Sequence, residues 1–167
     1  IDCNYYSGEP VTGLEEGRPM FLRRPDSHLG LANFIRSHLY ASLATLKIGL
    51  DILLKEEDVK IDSITGHGGL FKTKGVGQSI LAAAMNAPIS VMETAGEGGA
   101  WGMALLAAYM LSKKDGQSLG DYLDSLVFAE RKSETMEPDP ADVAGFETYT
   151  KQYQACLAAE KAAVQAF

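Results

Sequence analysis

Residues 65–75 read TGHGGLFKTKG, with three glycines and a histidine in positions 66–69. A tight turn needs one glycine. Three so close together point either to backbone that a flat group approaches closely or to a turn whose geometry tolerates no side chains. The flanks predict what the turn connects. Val59, Ile61 and Ile64 lead into it as a short strand, and GQSILAAAMNAP (77–88) leaves it as a helix that Pro88 ends. ISVM (89–92) reads as a second strand, ETAGEGG (93–99) as a second glycine-bearing junction and AWGMALLAAYMLSKK (100–114) as a further helix. Strands and helices in alternation predict an α/β core, with connections long enough for parallel pairing.

Upstream, residues 1–26 are rich in Gly, Pro and charge and predict an irregular leading segment with short strands at most. From Ser27 to about Lys55 the residues Leu31, Ile35, Leu39, Leu43, Leu46, Leu50 and Leu53 recur at helical spacing, with Asp26 or Ser27 available as cap. Downstream, Leu119, Tyr122 and Leu123 share one face. A polar stretch follows, in which Pro138 and Pro140 prevent a continuous helix. Phe146, Tyr149, Tyr153, Leu157, Val164 and Phe167 then predict a closing helix over 141–167. Two strands make a poor sheet, and this shortage needs an explanation.

The 167 residues suit one domain or a piece of something larger, and 46% apolar against 22% charged residues is the composition of folded rather than disordered chain. A net charge of −7 speaks against nucleic acid or an anionic bilayer as partner. No apolar run reaches the roughly 20 residues of a membrane span, and the start has no signal-peptide pattern, so the expected compartment is the cytoplasm. Cys3 and Cys156 stand at opposite ends of a chain large enough to fold without a staple, so free thiols are expected. His28, His38 and His67 have no zinc-site spacing to either cysteine.

Gly66, Gly68 and Gly69 sit where successive N–H groups can face an anion at a helix start. Leu70 and Phe71 would cover a flat ligand, Lys72 and Lys74 would add charge, and Thr73 a hydroxyl. The alternative is a structural turn with solvated lysines and His67 as an exposed turn residue. Neither the GxxxxGK[ST] nor the GxGxxG spacing is present. Gly96, Gly98, Gly99 and Gly102 mark the second junction, and if both junctions open at one sheet edge they form a crevice of the kind that takes ligands. Glu93 and Glu97 would line it, or Glu97 would cap the following helix; Trp101 would be core or a stacking platform. Ser79, Ser90 and the cysteines lack the company of a nucleophile, and Asp2, Asp26, Asp51, Asp62 and Asp115 have nothing to single one out, so no catalytic residue is assigned.

YYSGEPVT (5–12), the long helix at 27–55, GHGGLFKT (66–73), QSILAAAMNAPI (78–89) and GGAWGMALLAAYM (98–110) stand in an order that resembles the C-terminal part of the FGGY carbohydrate kinases, over roughly residues 5–112. GHGGLFKT resembles that family's glycine-rich adenosine motif. It differs in having His67 at a glycine position, Leu70 for a small alanine and an offset at Lys72–Thr73, and Ala83 falls where the following helix carries an aspartate. The resemblance implies a partial ribonuclease-H-like (actin-like ATPase) domain of α/β class, with a short sheet flanked by long helices. It implies Gly66, His67, Gly68, Gly69, Leu70, Phe71 and Thr73 as nucleotide-side residues. It also implies ATP and Mg²⁺, the metal held mainly through the phosphates and an absent N-terminal domain that carries the catalytic base and most sugar contacts. The chain is thus read as the nucleotide-binding part of a sugar kinase acting on a pentulose or related ketose, inactive alone and compatible with a homo-oligomer; the alternative is a non-enzymatic nucleotide-binding or interaction module. Strands upstream of Ile1 would account for the thin sheet.

Overall fold

The computed structural model describes residues 1–93, 95–129 and 133–167. Thr94 of the second junction and residues 130–132 of the polar stretch lie outside the described residues. The chain divides into two compact units: Ile1–Asp62 with Ile80–Ala87 and Pro138–Phe167, and Ser63–Ser79 with Pro88–Glu137.

In the first unit β1 (Asp2–Cys3) and β2 (Met20–Phe21) form an antiparallel pair, and α1 (Leu31–Asp51) and α5 (Pro140–Ala166) are its long helices. Between β2 and α1 the chain is irregular. The long helix starts at Leu31 with Gly30 as N-cap and no side-chain cap. Asp26 and Ser27 are not caps, because Asp26 pairs with Arg24 and the Ser27 hydroxyl donates to the Arg24 carbonyl. A wider π turn, Ile52–Glu56, ends the element. Pro140 opens α5 at its first helical turn, and the Asp139 carboxylate accepts the N–H groups of Ala141 and Asp142. The proline supplies no donor where none would be bonded, and the aspartate satisfies two that would be left open.

The buried stripe of α1 is Ala41, Leu43, Ala44 and Lys47, so Leu43 alone of the predicted apolar series is fully buried; Leu31 is 78% exposed and Ile35 and Leu46 about half. On α5 the stripe is Phe146, Thr150, Tyr153, Cys156 and Glu160, and Phe167 is exposed. The physical reason is fit. Ala41 and Ala44 leave room for Tyr153 and Cys156, and Cys3 of β1 completes the cluster. Small residues opposite large ones let two helices and a strand close without a void.

Polar ties run through this apolar contact. The Arg18 N–H donates to Glu160 Oε1 at 2.5 Å, the Tyr149 hydroxyl donates to the Ser37 carbonyl, the Tyr5 and Tyr153 hydroxyls bond each other, and His38 Nδ1 meets Asp2 Oδ2 at 2.5 Å. Burial pushes the Tyr149 and Tyr153 hydroxyls well above the ordinary tyrosine range, which keeps them as donors. Lys47, nearly enclosed, spans Asp51 at 2.6 Å and Glu147 at 3.2 Å.

In the second unit β3 (Ile64–Gly66), β4 (Ile89–Met92) and β5 (Ser133–Met136) form a sheet in the order β3-β4-β5. The expected parallel pair is present, Ile64 opposite Ile89 and Gly66 opposite Val91. β3 is shorter than the sequence predicts, since Val59 and Ile61 are exposed and outside it. β5 is the unexpected strand, antiparallel to β4, with Ser90 and Thr135 hydroxyls bonded across the pair at 2.8 Å. α3 (Gly98–Ser112) and α4 (Leu119–Tyr122) are its helices, and α2 (Val76–Met85) begins in this unit, with its residues from Ile80 onward counted in the first. The sheet is mixed rather than wholly parallel, and β5 supplies its third strand.

Burial raises the Asp51 carboxyl, but hydrogen bonds and charge from Lys47 and Lys55 outweigh it and hold the group below its ordinary 3.8. Its stabilisation is therefore complete above that value and is lost as pH falls through the depressed one. Asp51→Asn is expected to cost about 1 kcal/mol in urea unfolding at pH 7. The wild-type and variant stabilities should converge in acid below 3.8.

Candidate functional site: a groove between two glycine junctions

β3 runs into Gly66 and His67, then Gly68, a single 3-10 turn at Gly69–Phe71 and finally α2. Each glycine has a distinct reason. A side chain on Gly66 would overlap the Phe71 ring, which folds back over it. Gly68 has φ 108° and ψ −176°, a conformation almost closed to residues with a Cβ. Gly69 faces open space.

The turn's N–H groups are largely spent on the protein itself. Gly68 donates to the Ala95 carbonyl at 2.7 Å, Phe71 to Gly68 at 3.1 Å and Lys72 to Gly69 at 3.2 Å. Three donors that could have faced an anion are thus taken by internal bonds, because the 3-10 turn and the neighbouring junction claim them. The lysines are not free charge either. Lys72 pairs with Glu97 at 2.6 Å and Lys74 with Glu134 at 2.9 Å, the latter holding the Lys74 ammonium above its usual range. Glu97 occupies the N-cap of α3, yet its side chain makes no capping bond and turns to Lys72 instead.

The two junctions meet. Besides the Gly68–Ala95 bond, the His67 ring lies against Gly98, and the Lys72 side chain against Gly96. Together they open a groove of about 590 Å³, a size suited to a small ligand. His67, Gly68, Gly98, Gly99 and Gly102 form its glycine side. Trp101, Leu105, Leu106, Leu119, Leu123 and Phe128 form the apolar side. Trp101 is half-buried there, its ring edge-on to Phe128 at 5.9 Å, and so is a groove wall rather than enclosed core. The sequence does not single out Leu105, Leu106 or Phe128, and it marks Leu119 and Leu123 only as one apolar face. α3 is apolar on all sides, so its composition does not say which face lines a cavity.

The seven sequence candidates therefore divide. His67 and Gly68 line the groove, whereas Phe71 and Thr73 line a different cavity of about 380 Å³ with Lys74, Gln78, Glu93 and Glu134. Gly66 lies under the Phe71 ring, Leu70 packs against Gly77, and Gly69 is exposed. Gln78 belongs to the framework: its buried amide donates to the Ile89 and Glu134 carbonyls at 2.7 and 2.8 Å, joining β4 to β5.

Most of the remaining candidates have structural partners. The Ser79 hydroxyl donates to the Val76 carbonyl, Ser90 bonds Thr135, Asp2 bonds His38, and Asp26 and Asp51 are ion-paired. Among the described residues no group of three or more His, Cys, Asp or Glu is placed to hold a metal ion, and no helix is long and apolar enough to cross a membrane.

A mixed α/β unit with a ligand-sized groove at paired glycine junctions defines the class of fold, and comparison with known proteins gives the family. Residues 2–111 match the family model described as FGGY family of carbohydrate kinases, C-terminal domain. The chain belongs to this family. It is similar in structure to the ligand-bound xylulose kinase from Lactobacillus acidophilus, with a TM-score of 0.63 and 19% identity over 91% of this chain and 30% of that one. The chain thus spans less than a third of that kinase's length. No curated protein sequence matches it.

Gly68→Ala forces a Cβ into the φ 108° conformation and is expected to lower stability by roughly 1–3 kcal/mol in chemical denaturation. Gly69→Ala, with open space around it, should stay within about 0.5 kcal/mol of wild type.

Proposed function

We propose that this chain is the adenosine-binding part of an ATP-dependent sugar kinase. That enzyme transfers the γ-phosphate to a hydroxyl of a pentulose or related ketose. The observation that carries the reading is the joining of the two glycine junctions into one apolar groove beside Trp101. Membership of the carbohydrate kinase family supports the reaction class, and the likeness to a solved xylulose kinase supports the ketose.

Phosphoryl transfer of this kind depends on position and on stabilising charge at the phosphates. The groove serves the first requirement. Gly98 and Gly99 allow a flat base to lie close to the backbone, and Trp101, Leu105 and Phe128 take its apolar face. Among the described residues His67 is the one ionisable side chain on the groove wall, and none of them places a carboxylate there to deprotonate a sugar. Among the described residues no three His, Cys, Asp or Glu converge, so these side chains do not by themselves form a Mg²⁺ site. The base and the sugar contacts belong to the N-terminal domain of the intact kinase, and cytoplasm is the compartment this reading favours.

Trp101 is the chain's single tryptophan, so its fluorescence reports on the groove. Saturable quenching by ATP is expected. Gly99→Val should weaken it at least about tenfold, since the valine has space in the free protein and fills the groove. Absence of quenching at millimolar ATP, or undiminished affinity in the variant, would overturn the placement. Sugar-dependent ADP formation by this chain without another polypeptide would overturn the division of labour.

A further inference from the structure

Cys3 and Cys156 are the only cysteines in the chain. They are separated by 153 positions, yet the fold brings their sulfurs to 3.3 Å as free thiols. Each is positioned by bonds that do not involve the other: Cys3 by pairing of β1 with β2, Cys156 by the packing of α5 with α1. Cys3 is fully enclosed, while Cys156 keeps 9% of its surface exposed. One turn further along α5, Glu160 is buried with one carboxylate oxygen on the Arg18 N–H and the other without a partner among the described residues.

We propose that Cys3 and Cys156 are a redox-active pair that closes to an intramolecular disulfide under a hydroperoxide, fastening β1 to α5. Access sets the order of events. A hydroperoxide is small enough for the narrow opening at Cys156, and a bulky disulfide oxidant is not. The Cys156 sulfur attacks one peroxide oxygen and the O–O bond breaks. The thiol proton goes to the departing oxygen, leaving water and a sulfenic acid. The Cys3 sulfur then attacks the Cys156 sulfur and expels hydroxide, which takes the Cys3 proton as a second water. Two thiols and one hydrogen peroxide yield one disulfide and two waters, and a thiol reductant reverses the change.

Burial above all, then the thiol contact with Cys156 and the nearby carboxylates of Glu160 and Asp2, push the Cys3 thiol well above the ordinary cysteine range. The raised value keeps Cys3 protonated and slow toward peroxide in solution, and its role as the resolving thiol rests on the 3.3 Å contact with the Cys156 sulfur. The cross-link would close a loop of nearly the whole chain, which constrains the unfolded state more than a short loop does.

The test treats the full chain with hydrogen peroxide, then alkylates it under denaturing conditions for mass spectrometry. Expected are a monomer lighter by two hydrogens, no alkylated cysteine and a Cys3–Cys156 linked peptide. The melting temperature should rise by roughly 5 °C and return with dithiothreitol. In Cys3→Ser the Cys156 sulfenic acid should instead be trapped by dimedone. The proposal is overturned if both wild-type thiols remain open to alkylation, if they oxidise singly without joining, or if the disulfide forms between chains.

Discussion

The hydrogen bond from the Gly68 N–H to the Ala95 carbonyl is the constraint on which the groove depends. It joins two junctions that follow adjacent parallel strands, and Gly68 can offer its N–H in that direction only because its backbone takes φ 108°. With this bond in place His67 lies against Gly98, Lys72 reaches Glu97, and the start of α3 is held beside the first loop. The parallel register of β3 and β4 supplies the coarse alignment and the glycine supplies the fine one. The space between them is thus built into backbone geometry, not carved by mobile side chains.

How much of this was legible depended on what held each element. α2, β4 and α3 were readable because their apolar composition changes at each boundary and Pro88 separates two of them. β5 was not, because Ser133, Glu134 and Thr135 are exposed and polar. That strand is held by ladder bonds, by the Ser90–Thr135 pair and by the Gln78 amide, and none of these leaves an alternating apolar pattern. The glycine cluster was conspicuous, but residue type alone could not say which N–H groups remain free. Three are committed internally, so the loop has fewer donors to offer an anion than its residue types suggest. The buried face of α1 was displaced for a similar reason. A leucine period predicts amphipathic packing, but the partners here, Tyr153 and Cys156, fit against alanines.

The first unit shows how polar groups are kept in a core. Asp2, Lys47, Thr150 and Glu160 are all buried, and each has at least one partner. Their bonds run between segments distant in sequence: Asp2 to His38, Arg18 to Glu160, Lys47 to Glu147. An unpaired buried charge is costly, so these groups disfavour any packing that separates them. They specify which face of α5 meets the N-terminal strands, and that specification places two cysteines from opposite ends of the chain side by side. The proximity of the thiols is therefore a by-product of polar register, available to chemistry though not required for the fold.

The same economy of charge bears on nucleotide recognition. The chain is acidic overall, and the lysines near the glycine loop are neutralised by Glu97 and Glu134. If these cations were free, the loop would attract phosphate strongly but would distinguish little between one anion and another. Paired, they leave a groove with an apolar wall, which favours a flat apolar group over a charged one and contributes little to neutralising phosphate. On the proposed reading this separates the two requirements of phosphoryl transfer. The base is anchored here at low charge, while the groups that respond to charge developing at the γ-phosphate lie with the sugar site. Affinity for adenosine and acceleration of transfer then rest on different parts of the enzyme. Binding of the nucleotide alone gives little reason for hydrolysis until the sugar side closes on it.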